Sequence, residues 1–239
     1  MYRSLDPARI VETSEVLRRR ITERFPASGL GRVAGELGRV SAEAASLSGW
    51  LARPFLPLRL LAWAGVAGIA AVVAVALARL GAGTVAYTSL AELAQGLEAV
   101  INEIVFIALA VFFLLTLENR FKRRRALGAL HVLRALAHIV DMHQLTKDPE
   151  RTVVAGPDTP SSPGRSLSPF ELTRYLDYCS ELLALVSKIA ALYVQRFPDP
   201  VTLSAVNDVE DLASGLSRKI WQKLMILDRI VSATPAPGR

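Results

Sequence analysis

The sequence predicts an all-α protein in which a two-helix transmembrane hairpin anchors a cytoplasmic helical bundle. Three observations lead there. Two apolar runs are each long enough to cross a bilayer, apolar residues elsewhere recur at steps of three and four, and Lys and Arg flank the outer ends of the apolar pair while the stretch between has none. At 239 residues the chain has room for a membrane unit and a modest soluble domain, and 51% hydrophobic beside 21% charged residues suits such a division.

The N-terminal region, 1–57, carries two helical patterns. Asp6 followed by Pro7 is an N-cap and first-position pair for a helix to about Phe25, where Pro26, Ser28 and Gly29 break the chain. Leu30, Val33, Leu37, Val40, Ala44, Leu47 and Leu51 then fall on one stripe of a second helix. Two covers suit the helix 30–51: the rest of the bundle, or a membrane surface, for which Arg32, Arg39, Trp50 and Arg53 are fitted. The modest size of its apolar side chains favours the bundle.

The hairpin occupies 58–117. Its first segment, 58–80, is uncharged from Leu60 to Ala78, a run that as a helix spans about 29 Å against a hydrocarbon core of roughly 30 Å. The second, 97–117, has a polar first third formed by Glu98, Asn102 and Glu103. Arg53 and Arg59 precede the pair and Arg120 to Arg125 follow it, while the connection 81–96 holds neither Lys nor Arg. The expected topology therefore puts both termini in the cytoplasm, the short loop outside, and the chain in the cell's inner membrane.

A juxtamembrane helix, 118–148, continues the second segment to about Leu145, since it contains no proline and only Gly128. The interval 149–168, with Pro149, Pro157, Pro160 and Pro163 among Gly, Ser and Thr, reads as a flexible linker. Ser168, Pro169 and Glu171 supply the cap, first-turn proline and capping-box acid of a helix to about Phe197, ended by Pro198 and Pro200. It carries two apolar stripes, one through Leu172, Leu176, Cys179, Leu183, Val186, Ala190, Tyr193 and Phe197, the other through Leu182, Leu185, Ile189 and Leu192. A partner helix from about Leu203 to Ser232 repeats the pattern from Val206 to Val231, so 169–233 reads as a helical hairpin of coiled-coil spacing with neighbours on two sides. The tail, 234–239, is expected to be disordered.

Composition narrows the function classes. The net charge of +6 rests on Arg, with only five lysines, a composition common in GC-rich bacterial coding. Its densest run, Lys122, Arg123, Arg124 and Arg125, directly follows an apolar segment, which points to a membrane surface and not to nucleic acid. Cys179 is the only cysteine, so an intrachain disulfide is excluded, and its apolar neighbours suggest a buried thiol. The first apolar run begins too late for a cleavable signal, so the N-terminus is expected to be kept.

The most site-like residues are His131, Arg134, His138 and Asp141, which share one helical face. Two imidazoles and a carboxylate are metal-ligand chemistry, but His131 and His138 stand two turns apart, about 10.5 Å along the axis. A solvated polar stripe opposite Leu133, Leu136, Ala137 and Val140 is the plainer reading, and no metal or cofactor is expected. Glu103, with Asn102, is either a carboxylate wetted near the outer boundary or part of a pore or interhelix contact. In the first segment, Ala64 with Gly68, Ala67 with Ala71, Ala70 with Ala74 and Ala74 with Ala78 offer small-residue packing faces. No phosphate loop, dinucleotide fingerprint, zinc-protease pair or hydrolase elbow occurs, so no catalytic residue is assigned and an enzyme is not expected.

The blocks ERFPASGL (23–30), HIVDMHQLTKDP (138–149) and GLSRKIWQKL (215–224) resemble segments of bacterial two-transmembrane proteins, a resemblance that brings no activity with it. In layout the chain is also similar to bacterial two-transmembrane effectors encoded beside nucleotide-signalling defence genes, which implies pore formation. The expected function is a non-enzymatic, membrane-anchored interaction or assembly module whose partners are the bilayer and, through its helices, another copy or another protein. The alternative is an oligomeric ion channel or pore-forming effector.

Overall fold

The computed structural model describes residues 4–81, 90–149, 160–161 and 167–233. Residues 82–89 of the expected loop 81–96, most of the expected linker 149–168, and the tail 234–239 lie outside the described residues. Every regular element described is a helix: α1 (Pro7–Arg24), α2 (Gly29–Leu51), α3 (Leu56–Gly81), α4 (Leu90–Leu145), α5 (Pro169–Ala191) and α6 (Pro200–Ala233). α3 and α4 are long and apolar enough to cross a membrane.

The helix starts are local chemistry. Asp6 accepts the Ala8 N–H and Ser28 the Gly31 N–H, while Ser168 and Glu171 close a reciprocal capping box. Three boundaries differ from the sequence reading. α4 begins at Leu90, so 90–96 is helix and not loop; Leu90 to Gln95 are strong helix formers, and Gly96 alone does not interrupt them. α5 stops at Ala191 and not near Phe197, its last turn tightening as Leu192 and Tyr193 donate to the carbonyls of Ile189 and Ala190. Pro200 opens α6 instead of only ending α5, because Asp199 accepts from both the backbone N–H and the hydroxyl of Thr202, each at 2.9 Å.

Two compact units result: residues 1–52 with 125–239, and residues 53–124. In the first, one apolar core collects α1, α2, α5, α6 and the last part of α4. Both stripes of α5 are buried throughout, and Leu30, Val33, Leu37, Val40, Ala44 and Leu51 join them, so α2 packs on the bundle. The α6 stripe holds as far as Leu227; Val231, expected in it, is exposed. Ser14 and Ser41 share a buried hydroxyl bond of 2.8 Å between α1 and α2, and the Gln195 amide both accepts from the Leu5 N–H and donates to the Leu5 carbonyl.

The second unit pairs α3 with the first part of α4. The less exposed positions of α3 are Leu58, Ala62, Gly65, Ile69, Val73 and Ala76; in α4 their main stripe is Gly96, Val100, Ile104, Ile107, Val111, Leu114 and Glu118, with Thr116 and Leu117 beside its end. Each set follows steps of three and four, as two helices in contact require. The closest approach is at Gly65, where an added Cβ would stand 2.9 Å from Val111 Cγ2. The small-residue pairs expected to mediate contact, from Ala64 to Ala78, are exposed instead, and Gly68 has no neighbour within 4 Å of such a Cβ. The small residues on the contact stripe are Ala62, Gly65 and Ala76, a phase that leaves the expected pairs on the other faces of α3.

Candidate functional site

Where the α3–α4 pair of the second unit ends, α4 turns two charged side chains inward. Glu118 and Lys122, four residues apart on one face, are both buried, with Lys122 only 6% exposed. Lys122 Nζ donates to Glu118 Oε1 at 2.8 Å and to the Arg53 carbonyl at 2.7 Å. The Phe55 N–H, left without an intrahelical partner where α3 begins, donates to the same Glu118 oxygen at 3.1 Å, and Arg59 Nε reaches Oε2 at 3.2 Å. Burial alone would raise the Glu118 carboxyl; the bonds from Lys122, Phe55 and Arg59 outweigh it and hold the group below the usual carboxylate range. One carboxylate thus organises two cations and the turn into α3, and leaves one positive charge in excess.

The sequence reading of Lys122 as part of a membrane-surface run is therefore corrected: the residue points into the protein. The others differ among themselves. Arg124 is exposed, Arg123 is half-buried, and Arg125 stacks its guanidinium 4.9 Å from the ring centre of Trp50. The helical period was the missed signal, since Glu118 and Lys122 continue the Val111–Leu114 stripe while Arg124 does not.

Beside this cluster lies a cavity of about 350 Å³ between α3 and α4. Arg59, Glu118 and Asn119 line one end, and Ala62, Trp63, Val66, Leu114 and Leu115 form its apolar walls. Asn102 and Glu103 are exposed on α4, Asn102 opposite the contact stripe and Glu103 on its flank, and neither belongs to this cavity.

In the first unit, His131, Arg134 and His138 are exposed and Asp141 is half-buried, accepting a 2.6 Å bond from Gln144 Nε2. These four share a face of α4 opposite the buried Leu133, Leu136, Ala137 and Val140. Among the described residues, no group of three His, Cys, Asp or Glu side chains is placed to hold a metal ion. His143 belongs to a different surrounding: its ring lies against Gly29, and Nδ1 is 3.4 Å from the Tyr175 hydroxyl. Burial, then the charges of Arg32 and Lys147, lower its pKa. Lys223 of α6 closes the end of α4 by donating to the carbonyls of Gln144 and Lys147 at 2.7 and 3.1 Å. Burial pushes the Cys179 thiol up to about 12.

A wider polar cleft of about 550 Å³ is lined by Arg20, Arg24, Arg174, Glu23, Glu171 and Tyr178. Its arginines are engaged, Arg20 with Glu181, Arg174 with Asp177 and Arg24 over the ring of Phe170. The cleft reads as a solvated ion-pair surface. No protein family, no curated protein and no solved structure matches the chain.

Proposed function

We propose that the chain is a membrane-anchored, non-enzymatic helical interaction or assembly module, with the hairpin of residues 58–117 in the bilayer and the helical bundle at its cytoplasmic face. The observation that carries the reading is the reversed polarity of the second unit. In each of the two long apolar helices, only 6% of the most apolar 18 residues are buried, whereas the core helix of a water-soluble protein would be mostly covered. Trp63 and Phe106 are 71% and 72% exposed, while Glu118 and Lys122 are inside. Apolar surface of that extent is costly in water and costs nothing against lipid.

An interaction role is supported by apolar side chains on the first unit's surface, among them Met142, Trp221 and Met225, types enriched at protein interfaces. The topology follows from Arg53, Arg59 and the Arg120–Arg125 run on one side of both helices. A reporter active only outside the cytoplasm works when inserted at Thr88 and fails at either terminus; activity at one terminus would overturn the hairpin.

The competing reading, an oligomeric cation channel, draws on the exposed Asn102 and Glu103. Purified protein in planar bilayers separates the two. The anchor predicts silent membranes and preserved cellular function after exchange for an unrelated hairpin. Cation-selective current weakened by Glu103→Gln would replace the anchor with the channel.

A further inference from the structure

We infer that the cavity between α3 and α4 is a binding site for one anionic phospholipid, its phosphate held at Arg59 and one acyl chain laid along Ala62, Trp63, Val66 and Leu115. The inference rests on the membrane reading above and adds a ligand class to it. Two features of the cavity select this occupant. Its lining changes along its length from Arg59, Glu118 and Asn119 to uninterrupted apolar wall, the polarity order of a phospholipid from headgroup to chain. Its charge is also unbalanced, because Glu118 is shared by Lys122 and Arg59. Lys122 is buried beneath, so the excess positive charge is presented by Arg59, whose side chain is 57% exposed. Glu118 engages Arg59 through Nε, so the end-on pair of guanidinium N–H groups is not the pair that this bond uses. A planar donor pair at the headgroup level, above an apolar groove between two membrane helices, is suited to a phosphate diester. A zwitterionic lipid offers the same phosphate but brings its own cation to the same spot, so the site favours the anionic headgroup.

Trp63 lines the groove and reports on what fills it. The experiment uses the full chain with Trp50→Phe and Trp221→Phe, reconstituted in phosphatidylcholine vesicles. These contain a minor fraction of either brominated phosphatidylglycerol or brominated phosphatidylcholine. The expected result is quenching of Trp63 by the anionic lipid at about fivefold lower mole fraction, the effect of one cation engaging an anionic headgroup. Arg59→Gln brings the two quenching curves together, Arg59→Lys retains part of the preference, and Arg124→Gln, outside the groove, leaves it intact. Inorganic phosphate in the buffer does not reverse the preference, because the acyl chain contributes to binding. Equal quenching by both lipids in the parent protein would overturn the site. So would loss of the preference in Arg124→Gln to the same degree as in Arg59→Gln, which would mark diffuse surface attraction, or its reversal by inorganic phosphate. No quenching by either lipid would instead overturn the membrane reading itself.

Discussion

The two units of this chain are built by the same helical period with opposite polarity. In residues 1–52 and 125–239, Leu, Ile and Val fill the core, and ion pairs such as Arg39 with Glu36 and Glu43 cover the surface. In residues 53–124, Leu60, Trp63, Phe106 and Phe112 stand outside, while the buried positions among the described residues are Ala62, Val111, Glu118 and Lys122, two of them charged. A helix pair in water is held by burying its large side chains. A pair in lipid gains nothing that way and depends on close backbone approach and internal polar bonds. The difference teaches that periodicity identifies the face a helix uses, while the identity of the residues on that face identifies the solvent.

That comparison is sharpened first by truncating one leucine in each unit. Leu183, fully buried in α5, should cost about 4 kcal/mol when changed to Ala, in thermal unfolding of the full chain. Leu109→Ala, on the outer face of α4, should leave the same transition almost unmoved. Equal losses would mean that Leu109 is a core residue and would break the comparison.

The next largest effect falls on the buried pair. Glu118→Gln keeps an acceptor for Phe55 but leaves Lys122 buried without its counter-charge, at a cost of about 2 kcal/mol. Lys122→Met with Glu118→Gln should recover much of that loss. Additive losses in this cycle would show that the two side chains act separately.

The smallest effect is a pH dependence confined to the first unit. His143, near Arg32, Lys147 and Tyr175, has its pKa lowered from 6.5, so the unfolded chain binds the proton more readily than the fold does. The stability contributed by the neutral ring is complete above 6.5 and is lost as pH falls through the lowered value. His143→Asn should flatten the stability profile below 6.5, and an unchanged slope would assign the acid sensitivity elsewhere.

Much of the fold was legible in the sequence because caps and stripes are local. Asp6–Pro7, Ser168–Glu171 and the double stripe of α5 all stand where the residues indicated. The misplaced start of α6 came from reading Pro200 only as a stop, although Asp199 makes it an opening. The site was less legible. A run such as Lys122 to Arg125 looks uniform along the chain, but successive residues of a helix are rotated by about 100°, so one cation is buried while another meets solvent. Likewise, the small-residue pairs read along α3 from Ala64 to Ala78 did not include Gly65, and only the approach of Val111 reveals the phase of the contact.

Nitroxide labels along α4 test the central claim most directly, because that one helix contributes to both units. Single cysteines at Phe106, Leu109 and Phe112 sample the exposed apolar face of the second unit, and those at His131, Arg134 and His138 the polar face of the first. Cys179 can stay in place, since its buried thiol, pushed up to about 12, carries almost no reactive thiolate at neutral pH. In reconstituted vesicles, molecular oxygen, which concentrates in hydrocarbon, should relax the labels at 106, 109 and 112 more than a water-soluble nickel chelate does. At 131, 134 and 138 the chelate should be the stronger relaxer. Chelate dominance at all six positions would contradict the account, because the outward apolar face of residues 53–124 would then stand in water.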